Sequence, residues 1–332
     1  MNDPQIVVQN LTRQFRVPQR EAGMRAALKS LVKKAYTDVM AVHDVSFTIN
    51  AGEMVGFIGP NGAGKTTTLK MLAGLLHPTS GSAKVAGFVP WMRSPDYLRR
   101  ISMVLGNKSQ MMWDIPALDT FRVLGEIYQV AEAELNRTVS ELSELLDMSA
   151  LLTKPVRNLS LGERMKCELV ASLLHKPSVL FLDEPTLGLD VSMQRRLRRF
   201  IAEFNRRTGA TVILTSHYMA DVTELCERII LIHRGKLLYD GLLPDLSAEL
   251  APFKLIHLSL DQDNGVAELQ ALLSSETAVL SQNNGQLTLR VPRRDTPAVA
   301  ARLLSAMSVI DLSIENPPLE AVIDQIYQEG TI

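Results

Sequence analysis

Gly59-Pro60-Asn61-Gly62-Ala63-Gly64-Lys65-Thr66-Thr67 fits G-x-x-x-x-G-K-[ST], a pattern that holds nucleotide phosphates. Met54-Val55-Gly56-Phe57-Ile58 precedes it, an apolar run too short for a helix and read as a buried strand. Thr68 to Leu76 follows with helical composition, ending near His77-Pro78. Strand, glycine loop and helix are the context the pattern requires. The glycines let backbone N–H groups turn inward, and the new helix adds its positive end. Lys65 is then expected on the β- and γ-phosphates, and the Thr66 hydroxyl on Mg²⁺. A plain glycine turn is the competing reading, weakened by the flanking strand and helix.

Outside this stretch, composition sets limits. The chain has 332 residues, room for one large domain or two ordinary ones. Lys plus Arg number 35 and Asp plus Glu 36, so no bulk polyanion partner, and no nucleic acid, is implied. Cys167 and Cys226 lie in apolar helix-like segments without metal-ligand spacing, as buried reduced thiols would. Met1-Asn2-Asp3-Pro4 lacks the features of a secretory signal. No apolar run approaches the roughly 18–20 residues that cross a bilayer. A soluble chain is expected, with any membrane role reached through a partner.

Upstream of the glycine loop, Gln5 to Leu11 and Ala41 to Ile49 read as strands, with a turn at Asn50 to Glu53. Between them, about residues 16 to 38, Met24, Leu28, Leu31 and Ala35 recur at helical spacing among Arg20, Arg25, Lys29, Lys33 and Lys34. This spacing predicts a short basic amphipathic helix, packed on its own domain or facing a membrane or membrane subunit. Downstream, residues 117 to 153 are helical by period, with Leu135, Val139, Leu142, Leu145 and Leu146 on one face. They predict a helical subdomain, about residues 107–175, inserted in an α/β core. Ser160 and Glu163 form an S-x-x-E capping box, so a helix starts there and its free N–H groups can receive an anion. Val179-Leu180-Phe181-Leu182-Asp183-Glu184 is an apolar strand ending in two carboxylates, with Asp183 placed for Mg²⁺ and Glu184 for the attacking water. Leu187-Gly188-Leu189-Asp190 follows, then a helix from about Gln194 to Arg207. Thr211 to Ser216 is a further buried strand, and His217 at its end can reach a γ-phosphate.

Together these residues resemble the nucleotide-binding subunit of ATP-binding cassette (ABC) transporters over about residues 5 to 245. Walker A is Gly59 to Thr67, the signature Leu159-Ser160-Leu161-Gly162-Glu163, and Walker B Val179 to Asp183 with Glu184 as catalytic carboxylate. The D-loop is Leu187 to Asp190 and the switch histidine His217. The resemblance implies that Glu184, His217 and Lys65 are catalytic, and that Thr66, Asp183 and a Q-loop residue hold Mg²⁺. ATP is implied to contact Gly59 to Thr67, Ser160, Leu161, Gly162, Glu163 and Asp190. Leu161 and Glu163 depart from the usual L-S-G-G-Q. The Q-loop residue is Asn107 or Gln110, with Asn107 favoured by counting back from Met111-Met112-Trp113. The adenine-stacking aromatic is Phe15 or Tyr36, and Phe15 keeps the family's place after the first strand.

The basic insertion, the Asn-Lys-Ser-Gln stretch, L-S-L-G-E and the long tail are similar to ATPases paired with ABC-2-type permeases, including drug-exporter and viologen-exporter-like systems. That similarity implies an ATPase on the cytoplasmic face of the inner or plasma membrane, held there by a permease. Export is the implied direction and import the alternative. A soluble ABC ATPase acting on nucleic acid or the ribosome is the competing function, but the tandem cassettes or long coiled coil it usually needs are absent. One Walker A loop and one signature per chain imply a head-to-tail pair, here a homodimer, with ATP between the chains. Met111, Met112 and Trp113 are expected as an exposed apolar patch on a permease-facing surface from Asn107 to Pro116.

From about Leu246 the pattern changes, giving a division at 1–245 and 246–332. Leu255 to Leu260, Val266 to Leu273, Ala278 to Leu280, Gln286 to Val291, Thr296 to Met307 and Val309 to Ile314 read as strand, helix, strand, strand, helix, strand. The order βαββαβ, with a turn at Asn283-Asn284-Gly285, predicts a small ferredoxin-like α+β domain. A last helix is expected from Leu319 to Tyr327. The tail carries no catalytic constellation, and dimer support or contact with the cassette is the expected role.

Overall fold

The computed structural model describes residues 4–18, 36–106, 108–250, 253–260, 277–283 and 285–329. The chain divides into two compact units, Met1–Gly241 and Leu242–Ile332.

In the first unit, β1 (Pro4–Pro18) pairs antiparallel with β2 (Tyr36–Asn50) and with β4 (Ser80–Val85). Both long strands run well past the bounds expected from sequence, absorbing Arg16 to Pro18 and Tyr36 to Asp38 of the supposed helical insertion. The remainder of that insertion lies outside the described residues. The pairing survives its polar stretch through bulges near Leu11 and Arg13. There Asn10 and Asp44 adopt positive φ and bond through their side chains, Asn10 Nδ2 donating to Asp44 Oδ1 at 2.7 Å.

The second sheet has the order β5-β6-β7-β3-β8-β9. Its strands are β3 (Met54–Ile58), β5 (Ile101–Leu105), β6 (Val179–Asp183), β7 (Thr211–Thr215), β8 (Arg228–His233) and β9 (Lys236–Leu242). The first five pair in parallel. Every residue of β6 and β7 is buried, as strands covered on both faces demand. Phe47 of the antiparallel sheet meets Phe57 of β3, ring centroids 5.9 Å apart, in one core with Leu69, Met71 and Leu72 of helix α1 (Lys65–Leu72). The other helices of this unit are α2 (Pro95–Arg100), α3 (Ala117–Tyr128), α4 (Glu132–Leu145), α5 (Leu161–Leu173), α6 (Val191–Thr208) and α7 (Met219–Leu225). In α4, Leu135, Val139 and Leu142 are buried, on the face expected from their spacing. No helix among the described residues is long and apolar enough to cross a membrane.

The second unit contains α8 (Leu243–Leu250), β10 (Phe253–Leu260), β11 (Ala278–Asn283), β12 (Gln286–Pro292), α9 (Thr296–Ala306), β13 (Val309–Glu315) and α10 (Leu319–Glu329). Its sheet order is β11-β12-β10-β13, all antiparallel. That is the ferredoxin-like order, with the first and third strands side by side at the centre. Ile256, Leu258, Leu287, Leu289 and Val291 alternate onto one face, where Val299 and Leu303 of α9 cover them. The helix expected at Val266 to Leu273 lies outside the described residues.

Candidate functional site

Parallel strands bring their C-terminal ends to one edge of a sheet, and loops at that edge converge. Here β7 sits between β3 and β6, so the glycine loop, Asp183-Glu184 and Ser216-His217 leave neighbouring strands. Two glycines of the loop are fixed by packing. A Cβ on Gly59 would stand 2.3 Å from the Ile232 carbonyl oxygen, and one on Gly64, at φ 110°, 2.4 Å from that of Ala41. Any side chain at either place would force the loop open.

Lys65 is buried, and its Nζ donates to the carbonyls of Gly59 at 2.5 Å and Pro60 at 3.2 Å. Burial pushes its ammonium below the ordinary lysine value, and the nearby charges of Glu184 and then Asp183 oppose that shift. The Thr66 hydroxyl donates to Asp183, its Oγ1 lying 2.9 and 3.0 Å from the two carboxylate oxygens. Thr215 Oγ1 adds a 2.8 Å bond to Asp183 Oδ1. A hydroxyl and a carboxylate clamped together in this way form a hard oxygen donor set suited to Mg²⁺.

Glu184 has φ 57°, a left-handed conformation costly for a residue with a side chain. Its N–H is held by the Thr215 carbonyl and hydroxyl, each at 3.1 Å. The His217 N–H donates to Glu184 Oε2 at 2.9 Å, and His217 Nε2 stands 3.4 Å from Oε1. Oε1 is buried and accepts no hydrogen bond. Burial raises the carboxyl above its ordinary value, against the pull of His217 and Lys65. A desolvated carboxylate with a free buried oxygen is suited to accept a proton from water. The structure thus brings together Lys65, Thr66, Asp183, Glu184 and His217, with Pro60, Asn61, Gly62, Ala63 and Thr67 in the same loop and helix start.

The serine-capped helix makes a separate cluster. Ser160 is the N-cap of α5: its Oγ accepts from the Glu163 N–H at 3.3 Å, and Glu163 Oε2 accepts from the Ser160 N–H at 2.8 Å. Those bonds hold the Glu163 carboxyl below its ordinary value. Ser160 and Leu161 are exposed. Leu161 lies against Gly188 and Gly162 against Met193, so the signature packs on the D-loop of its own chain. Asp190 serves there as the N-cap of α6, accepting from the Met193 N–H at 3.0 Å.

Other expected residues are placed differently. Asn107 lies outside the described residues. Gln110 turns its Nε2 to the Glu168 backbone carbonyl at 3.3 Å. Met111 is buried at 6 % exposure, which corrects the expected apolar patch to Met112 and Trp113, 44 % and 51 % exposed. Phe15 and Tyr36 both lie on the long hairpin, under Arg13 and Arg16 respectively. Two hydrogen-bond partners of these candidate residues escaped the sequence reading. One is Thr215, a hydroxyl at the end of an apolar strand. The other is Glu168, a buried carboxylate in the apolar run of α5 that receives the Ser109 hydroxyl and the Gln110 and Met111 N–H groups.

Residues 42–187 match the family described as ABC transporter, and residues 252–315 the EvrA-like ABC transporter C-terminal domain. The chain is 36% identical over 208 residues to the ABC transporter ATP-binding protein NatA of Bacillus subtilis (strain 168), covering 63% of this chain and 84% of that protein. It is 29% identical over 304 residues to the daunorubicin/doxorubicin resistance ATP-binding protein DrrA of Streptomyces peucetius, covering 91% of each. A solved ATP-binding subunit of an ABC transporter superposes with TM-score 0.62 at 24% identity, over 74% of this chain and 93% of that one.

Proposed function

Since this chain belongs to the ABC transporter family as an ATP-binding subunit, we propose that it drives an ABC-2-type exporter by hydrolysing ATP between two copies of itself. Similarity to DrrA along most of both chains supports the export reading. The observation that carries the mechanism is the convergence of Lys65, Asp183, Glu184 and His217 at one sheet edge, with the free Oε1 of Glu184 among them.

Residues 59–67 cradle the phosphates, and Lys65 exchanges its loop carbonyls for phosphate oxygens. Thr66 and Asp183 would hold Mg²⁺, which would offset phosphate charge there. Glu184 orients a water for in-line attack on the γ-phosphorus. As the new P–O bond forms and the bond to the bridging oxygen breaks, the water proton passes to Glu184. His217 steadies Glu184 and faces the γ-phosphate. Ser160 and Gly162 of the second copy close the site from across the interface. Loss of the γ-phosphate removes those cross-interface contacts, and the pair opens.

The opening is delivered to a permease at the cytoplasmic face of the membrane. The docking surface in this reading is the cleft of about 440 Å³ lined by Leu75, Leu98, Met103, Gln110, Ile127 and Tyr128, with the exposed Met112 and Trp113. The C-terminal unit supports the paired state. Glu184→Gln tests the site: the variant is expected to bind ATP normally while turnover falls about 100-fold or more. Turnover near the parent rate would remove Glu184 from its role.

A further inference from the structure

We propose that Asp221 is a positioning residue for the catalytic pair, one buried carboxylate that ties the segment carrying Glu184 to the segment carrying His217. This rests on the roles given above to Glu184 and His217. Asp221 lies on α7 and is 0 % exposed. Its Oδ2 accepts from the hydroxyl of Thr186, two residues past Glu184. The same oxygen accepts from Ser216 Oγ at 2.6 Å, and Ser216 immediately precedes His217. Ser216 Oγ in turn accepts from the Tyr218 N–H at 3.0 Å, so His217 is flanked by anchored residues. Oδ1 accepts from Arg198 Nη1 at 2.8 Å, and Arg198 Nε donates to Glu224 at 2.7 Å.

The physical case is one of geometry over stability. A buried ion pair recovers little net free energy once its desolvation is counted. What Asp221 and Arg198 do supply is a fixed acceptor that two hydroxyls from different loops must share. Those loops carry the two ends of the 2.9 Å bond between the His217 N–H and Glu184 Oε2. The pair is therefore held from behind, through Thr186 on one side and Ser216 on the other. A displacement of about 1 Å in a positioned base costs up to about 100-fold in rate. Lys65 and residues 59–67 have no bond to this network, so nucleotide binding is not expected to depend on it. Asparagine at 221 retains one acceptor oxygen but turns an N–H₂ either toward the donor-only Arg198 guanidinium or toward the two hydroxyls that donate to Oδ2, so one side loses its acceptor.

The test uses the full chain with Mg-ATP, measuring steady-state turnover and, separately, binding of a fluorescent ATP analogue. Asp221→Asn is expected to lower kcat about tenfold or more while affinity stays within about twofold. Thr186→Val and Ser216→Ala remove single donors, fold more readily, and are each expected to lower kcat about threefold or more. Glu224→Gln, at the exposed end of Arg198, is expected to leave kcat within about twofold. In a Glu184→Gln background, where no base is left to position, Asp221→Asn is expected to cause no further loss. A purely structural role would instead lower residual turnover in both backgrounds by the same factor. That result overturns the inference, as does parent-like kcat in folded Thr186→Val and Ser216→Ala beside an inactive Glu184→Gln. Parent-like turnover in Glu184→Gln itself overturns the site assignment and this inference with it.

Discussion

Glu184 and His175 show how differently two partly buried titratable side chains are used. Glu184 combines a left-handed backbone, a raised carboxyl and a buried oxygen that accepts no hydrogen bond. Such costs persist where the surrounding structure enforces them, and here Thr215 and His217 do so. His175 stacks on Tyr128, with ring centroids 3.8 Å apart, and its Nε2 bonds the Ile101 carbonyl at 3.0 Å. Burial lowers its pKa from the ordinary 6.5. The unfolded chain therefore binds the proton more tightly than the folded one. Stability is fully present above 6.5 and is lost as pH falls toward the lowered folded value. The melting temperature of the parent is expected to drop from pH 7 to pH 5 more than that of His175→Phe, which keeps the stacking. Parallel curves would contradict this. The candidates Lys65, Asp183, Glu184 and His217, which the fold brings to one sheet edge, were legible from sequence because motif spacing marks each of them. Thr215, Glu168 and Asp221 were not, since each acts through partners that only the fold brings near.

Between β5 and α3, the chain is bolted to the signature helix and its approach. Glu168 of α5 receives the N–H groups of Gln110 and Met111 at 3.0 and 3.4 Å. Arg164, also on α5, lies over the Trp113 ring at 5.4 Å, and Arg157 bonds Asp114 at 2.9 Å. The exposed Met112 and Trp113 are thereby coupled to the same helix whose first turn presents Ser160. Glu168→Ala leaves these donors unpaired and is expected to cost about 1–3 kcal/mol in denaturant unfolding, with faster amide exchange at Gln110 and Met111. Glu168→Gln, which keeps an acceptor, should cost less. An unchanged midpoint and unchanged exchange would show that the loop is held by other contacts. The capping box at Ser160 and the β6 and β7 strands could be read directly, being local patterns. The reach of β1 and β2 could not, because Arg13 interrupts the apolar alternation of Leu11, Phe15 and Val17 on which strand reading depends. Met111 was misjudged with Met112 and Trp113 for a similar reason: composition shows an apolar cluster but not which member turns inward.

At the scale of the molecule, the parallel sheet gathers the nucleotide machinery at one edge while Ser160 and Gly162 sit at the exposed start of another helix. The strands of the tail and its second helix were legible because their apolar alternation and turn residues are local, while the helix expected between the first two strands lies outside the described residues. The part proposed for the tail in the paired state is not written in any motif. The central claim is that each active site is built from two chains, and complementation between two defective variants tests it most directly. Lys65→Ala disables the phosphate loop. Gly162→Asp places a charge against the triphosphate, and its Cβ would meet side chains alone, the nearest being the flexible end of Met193 at 3.2 Å, so folding is expected. Each variant alone should be inactive. Mixed and allowed to exchange, they should recover up to about a quarter of parent turnover, because random pairing makes half the dimers mixed and each mixed dimer holds one intact site. No recovery on mixing, or full activity in Gly162→Asp alone, would contradict the shared site.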